Sequence, residues 1–163
     1  MIRRISPDDL DQFLAYRADP DVARYQSWEV MDRDRARPFL AFNQKITPLI
    51  RPGAWVQIAI ADPADDTLIG DLGIMLSDDQ MEVELGITLA AHAQGFGHGL
   101  RATQLACALI WDETSAQVIN VWADIRNRPS RRLAERAGFA FKGFETNNEV
   151  KEAAFSMHRP EGN

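Results

Sequence analysis

Between positions 94 and 99 the chain reads Gln-Gly-Phe-Gly-His-Gly, three glycines at alternate positions just ahead of an apolar helical run beginning at Leu100. A loop that enters a helix after a strand presents unpaired N–H groups and the positive end of the helix dipole, which together suit a phosphate. Two further groups of residues could do chemistry. Upstream, Glu82 and Glu84 alternate with Met81, Val83 and Leu85, which puts two carboxylates on one face of a strand and offers a general base. Downstream, Asn127 and Ser130 precede a segment rich in arginine. Residues 126–136 carry Arg126, Arg128, Arg131, Arg132 and Arg136 against Glu135, a local balance of +4 in a chain of net charge −6, so the rest stands at −10. Such a run is either a docking patch for a small polyanion or a solvated helix face.

The elements that must position these groups follow from periodicity and punctuation. Ile2 to Ile5 predicts a short strand, and Ser6-Pro7-Asp8-Asp9 a helix start with Ser6 as cap, carrying Leu10, Phe13 and Leu14 as its apolar stripe. A second helical segment follows Met31-Asp32 through Phe39, Leu40 and Phe42, with Pro38 marking its start or a kink. Trp55 to Ala61 and Leu68 to Leu76 pair as a hairpin across Asp62 to Asp66, and Met81 to Leu89 adds a cleanly alternating strand. Beyond the glycine loop come a helix from Leu100 to Trp111, a strand from Val118 to Ile125 and a helix from Pro129 to Ala137 closed by Gly138. Phe139 to Glu145 and Ala153 to His158 close the chain as a hairpin across Thr146 to Glu149. This order is mixed α/β, antiparallel early, with a parallel pair around the glycine loop.

Composition narrows the classes. At 163 residues and 45% hydrophobic the chain is expected to form one domain over 1–163. The net charge of −6 argues against direct nucleic-acid binding. No apolar run of bilayer length and no signal-like start are visible, so a cytoplasmic protein with no membrane partner is expected. A single cysteine, Cys107, excludes an internal disulfide and a cysteine-based zinc cluster, and nothing else calls for a metal.

Three phosphate-binding motifs compete for the glycine loop. A Walker loop needs Lys and Ser or Thr after its last glycine, where this chain has Leu100-Arg101, and a dinucleotide fingerprint needs glycine at Leu100. The segment Gln94 to Gly99 has instead the form Q/R-x-x-G-x-G/A and resembles the pyrophosphate loop of the GNAT superfamily of acetyl-coenzyme A-dependent N-acetyltransferases. Glu84-Leu85-Gly86-Ile87, Asn127-Arg128-Pro129-Ser130 and Glu135-Arg136-Ala137-Gly138-Phe139 resemble its neighbouring motifs. Asp19 to Tyr25 with Trp28, and Leu68 to Gly73, resemble the branch containing ribosomal-protein N-terminal acetyltransferases.

The resemblance implies a GNAT-like fold, a central mixed, mostly antiparallel sheet of about seven strands flanked by about four helices. It implies acetyl-coenzyme A as donor, with amides of Gln94, Gly95, Gly97 and Gly99 on the pyrophosphate and His98, Leu100 and Arg101 supplying amides or a charge. Backbone groups of Ile87, Thr88 and Leu89 would pair with the pantetheine arm as an added strand, one N–H facing the thioester oxygen. Asn127 matches the asparagine that reaches pantetheine, and Ser130 the serine near the sulfur. Many members carry a tyrosine where this chain has Ala134, so Ser130 inherits the role of acid toward the thiolate, with a helix cap as its competing use.

Glu84 is the first choice of base, directly or through water, with Asp71 and Asp124 as alternatives and a merely solvated carboxylate as the bland one. Tyr25 and Trp28 line an acceptor cleft or pack the core. The expected activity is direct acetyl transfer, in a ternary complex, to a primary amine of a small molecule or a peptide N-terminus. The protein would act as a monomer or homodimer. The alternative is a non-catalytic acyl-coenzyme A-binding or interaction module.

Overall fold

The computed structural model describes residues 1–161. After β1 (Ile2–Arg4), Ser6 and Asp9 form a reciprocal cap: the Ser6 hydroxyl accepts from the Asp8 N–H at 3.2 Å and Asp9 accepts from the Ser6 N–H at 2.9 Å. One 3-10 turn over Pro7–Asp9 then leads into α1 (Leu10–Arg17). Asp19 caps a four-residue α2 (Pro20–Ala23), and Asp32 caps α3 (Arg33–Lys45) by accepting from Arg35 N–H at 2.8 Å. Helix α2 has no apolar stripe to announce it. Pro38 lies inside α3 and does not mark its start.

The hairpin of β2 (Trp55–Ala61) and β3 (Leu68–Leu76) stands where alternation placed it, followed by β4 (Glu82–Leu89), α4 (His98–Glu113), β5 (Val118–Asp124) and α5 (Arg128–Arg136). The chain closes with β6 (Ala140–Asn147) and β7 (Val150–His158), whose turn tightens to Asn148-Glu149, both at positive φ. The seven strands form one sheet in the order β1-β2-β3-β4-β5-β7-β6. Among the described residues the one parallel pairing between named strands is β4 with β5, for which α4 is the crossover. No helix among the described residues is long and apolar enough to cross a membrane.

The core is built on fully buried Phe13, Leu40, Ile58, Ile60, Leu72, Ile74, Val83, Ile110, Ile119 and Phe155. Alternation along β4 holds for Val83 and Leu85 but not at its far end, where Thr88 is buried and Ile87 only half-buried. Helix α1 causes this: Tyr16 and Arg17 reach down to Asp71, the β3 residue paired with Thr88. Leu89, on the opposite face, packs where α4 approaches, so α1 and α4 flank opposite faces of the sheet.

Candidate active site

The three glycines of the loop do different jobs. Gly95 and Gly97 hold φ of +86° and +85°, a region that penalises any side chain, and a Cβ on either would project into open space. Gly97 is the N-cap of α4 and caps it with no side chain, so the first amides of that helix open onto the loop mouth. Gly99 is buried, and a Cβ there would lie 3.2 Å from Leu89 Cδ1 and 3.3 Å from Leu133 Cδ2. It lets α4 pack tightly on β4 and α5. Gln94 ties the loop to the end of β4, its Nε2 donating to the Leu89 carbonyl at 3.1 Å. His98 and Leu100 are half-buried and Arg101 is exposed beside them.

Strands β4 and β5 pair over only three residues, Glu82 to Glu84 against Val118 to Asn120, and then part. The gap is a narrow slot of about 110 Å³ between Leu85–Ile87 and Val121–Ala123, with Thr103 of α4 and Ser130, Leu133 and Ala134 of α5 along it. Asn127 Oδ1 accepts the Ser130 N–H at 3.2 Å, so Asn127 caps α5 and the Ser130 hydroxyl is not spent on that task. An unpaired strand edge running from this slot toward a bare, left-handed glycine turn fits an extended pantetheine arm ending in a pyrophosphate.

A larger cleft of about 630 Å³ opens on the other side of β4. Glu84, Tyr25 and Trp28 line it, together with Gln26, Trp55, Trp122, Glu145 and Glu152. Gln26, Leu85, Gly86, Ile87 and Trp122 line both cavities, so slot and cleft meet across Gly86. A Cβ on Gly86 would touch nothing within 4 Å, which keeps that junction open.

The carboxylates around the cleft separate by environment. Glu84 is half-buried, forms no ion pair among the described residues, and its carboxyl is raised above the usual range by burial and by the charge of Glu152. Glu152 is raised likewise by burial and by Asp124 and Glu145. Asp124 is held low by two hydrogen bonds from the Arg126 guanidinium at 2.6 and 2.9 Å. Asp71 is buried and already engaged by the Tyr16 hydroxyl and by its counterion Arg17 at 2.9 Å, so it is a poor acceptor for a substrate proton. The Arg17 guanidinium is stacked between the rings of Phe13 and Trp28 at 4.5 and 4.6 Å, which fixes Trp28 on the cleft wall. Among these carboxyls, Glu84 has no ion-pair partner among the described residues and directly precedes Leu85, a residue of the slot.

Of the arginine-rich segment, Arg126 pairs with Asp124 and Arg131 donates to the Ile125 carbonyl at 3.0 Å, while Arg128, Arg132 and Arg136 are exposed. Burial pushes the Cys107 thiol up to about 11, which makes it a poor nucleophile.

An open sheet splayed at one parallel pair, with an anion-ready turn at the end of the split, is the frame of an acyl-group transferase. The chain belongs to the GNAT acetyltransferase family: the family described as acetyltransferase (GNAT) domain matches residues 1–140. It is therefore an acetyltransferase with acetyl-coenzyme A as donor. No curated protein matches the sequence directly. Among solved structures, it is similar in fold to a ribosomal-protein-S5-alanine acetyltransferase from Vibrio fischeri, with a TM-score of 0.83 and 14% identity over 98% of this chain and 93% of that one. A GNAT-family acetyltransferase from Bacillus anthracis gives 0.81 and 18% over 96% and 93%. The spermidine N-acetyltransferase from Vibrio cholerae, solved with coenzyme A and spermine, gives 0.80 and 17% over 97% and 94%.

Proposed function

We propose that this protein carries an acetyl group from acetyl-coenzyme A to a primary amine by direct attack in a ternary complex. The observation that carries the reading is the junction at Gly86, where a slot suited to the donor and a cleft suited to an acceptor share one wall beside a raised, unpaired carboxyl. Acetyl-coenzyme A supplies an activated thioester carbonyl. The loop amides of Gln94, Gly95, Gly97 and Gly99, with His98, Leu100 and Arg101 around them, hold its pyrophosphate. Main-chain groups of Ile87, Thr88 and Leu89 extend the sheet onto the pantetheine arm, with Asn127 at its side.

Tyr25 and Trp28 shape the acceptor side of the cleft. Glu84 takes the proton from the incoming ammonium, directly or through one water, and leaves a neutral amine to attack. The new N–C bond forms as the C–S bond breaks; the departing thiolate takes a proton from the Ser130 hydroxyl, which regains one from solvent or from the attacking nitrogen. Thiol release from acetyl-coenzyme A in the presence of an amine panel tests the reading. Saturable, amine-dependent release is expected. Tight coenzyme binding with no release for any amine would make the protein a binding module instead.

A further inference from the structure

We propose that the acceptor is a small molecule bearing two or more protonated amines, gripped by Glu84, Glu145 and Glu152 between the indole faces of Trp55 and Trp122. This rests on the acetyl-transfer reading above and narrows its acceptor to one class, against a peptide N-terminus.

Strand β7 sets Glu152 directly between Asp124 of β5 and Glu145 of β6, so three carboxylates cross the sheet in one row. Like charges directly opposite on neighbouring strands repel. Arg126 neutralises Asp124, but no lysine or arginine among the described residues pairs with Glu145, Glu152 or Glu84. Lys151 alternates with Glu152 along β7 and so leaves the other face, where its ammonium lies 5.4 Å from the Phe144 ring. Within the cleft Arg17 and Asp71 cancel, which leaves three negative charges without a counterion.

The walls around those charges are aromatic. Trp55 is 45% exposed and Trp122 36% exposed, and the Trp122 Nε1 donates to Glu145 at 2.9 Å, which pins its ring beside that carboxylate. Carboxylates flanked by aromatic faces are the recognition chemistry of ammonium groups. A peptide N-terminus brings one positive charge and would leave the remaining carboxylates unmatched in a partly desolvated cleft. A polyamine matches them: its distal ammonium sits at the Glu145 and Glu152 end, and its proximal one loses a proton to Glu84 at the junction with the slot. In the transfer, the N–C bond forms, the C–S bond breaks, and the distal ammonium keeps its charge. A cleft of about 630 Å³ has room for such a molecule.

The test has a binding arm and a turnover arm. Calorimetric titration of spermidine, kanamycin, n-butylamine and a short peptide with a free N-terminus into the coenzyme A complex should give at least tenfold tighter binding for one of the two polycations than for the monoamine or peptide. Glu145→Gln and Glu152→Gln should each erase at least tenfold of that preference without changing coenzyme A affinity. Which polycation binds separates a linear polyamine from an amino sugar. Equal or tighter binding of the monoamine or peptide overturns the proposal even where thiol release is brisk. Polycation binding without thiol release would overturn both the catalytic reading and the assignment of the polycation as acceptor, whereas brisk release with a monoamine or peptide and no polycation preference would overturn the acceptor assignment alone.

Discussion

Asn127 and Ser130 have separate tasks: the Asn127 amide oxygen receives the Ser130 N–H at 3.2 Å and caps α5, while Ser130 itself lines the slot. Ser130→Ala should therefore reduce turnover about tenfold or more and leave stability unchanged, whereas Asn127→Ala should lose about 1 kcal/mol of stability. Denaturant unfolding alongside thiol-release kinetics separates the two. A destabilised Ser130→Ala with an unchanged rate would return that residue to a purely structural role.

The glycines of the loop should part company in the same way. Gly97→Ala puts a Cβ at φ +85°, costs about 1–2 kcal/mol and crowds the mouth over the first turn of α4, so it should weaken coenzyme A binding. Gly99→Val forces branches into the gap between Leu89 and Leu133, should destabilise by about 1–3 kcal/mol, and acts on packing first. A Cβ at Gly86 has nothing within 4 Å, so Gly86→Leu should fold about as well as wild type, yet block the junction of slot and cleft. Full activity in a Gly86→Leu variant would mean that the two cavities do not work together.

The carboxyl of Glu84 is raised by burial and by Glu152, and a base works only when unprotonated. The acidic limb of kcat against pH should therefore lie above the usual carboxylate range, and Glu152→Gln should move that limb to lower pH by removing one of its causes. For stability the sign is opposite to that of a salt-bridged acid. The folded state holds its proton more tightly than the unfolded chain, so this contribution falls as pH rises from the unfolded value through the folded one, then levels off. Glu152→Gln should accordingly raise stability slightly at pH 7.5, by well under about 1 kcal/mol for half-exposed groups, seen as a small rise in Tm, and a fall in Tm would contradict the repulsive row.

Much of this site could be read in the residues before any coordinates. Alternation placed Glu84 and the β2–β3 hairpin, and glycine spacing before an apolar helix marked the loop, because both depend on local periodicity. The row Asp124–Glu152–Glu145 could not be seen that way. It depends on the turn at Asn148-Glu149: a four-residue turn over Thr146 to Glu149 pairs Glu145 with Val150, while the two-residue turn pairs it with Glu152. Trp55 and Trp122 were equally silent, since a strand tryptophan reads as core until the neighbouring element fails to cover it. The separate duty of Gly99 also needed the positions of Leu89 and Leu133. Asp71 looked like a spare carboxylate in the sequence, and only the approach of α1 shows that Tyr16 and Arg17 occupy it.

That buried pair has its own consequence. Arg17 and Asp71 have side chains only 4% and 3% exposed, so Asp71→Ala leaves a guanidinium buried without its counterion and should destabilise by about 3–5 kcal/mol. Asp71→Asn, which keeps one acceptor oxygen for Tyr16 and Arg17 to share, should cost less. A chain that unfolds at the wild-type denaturant midpoint in both variants would show that the pair holds neither α1 nor Trp28 in place.

The central claim is that Glu84 accepts the acceptor's proton at the junction of the two cavities. Single-turnover thiol release from acetyl-coenzyme A, with a saturating amine and with wild type and Glu84→Gln side by side, measures it most directly. The expected result is a loss of about 10²-fold or more in the chemical rate for Glu84→Gln, with coenzyme A affinity and Tm retained. An unchanged rate in that variant would contradict the claim.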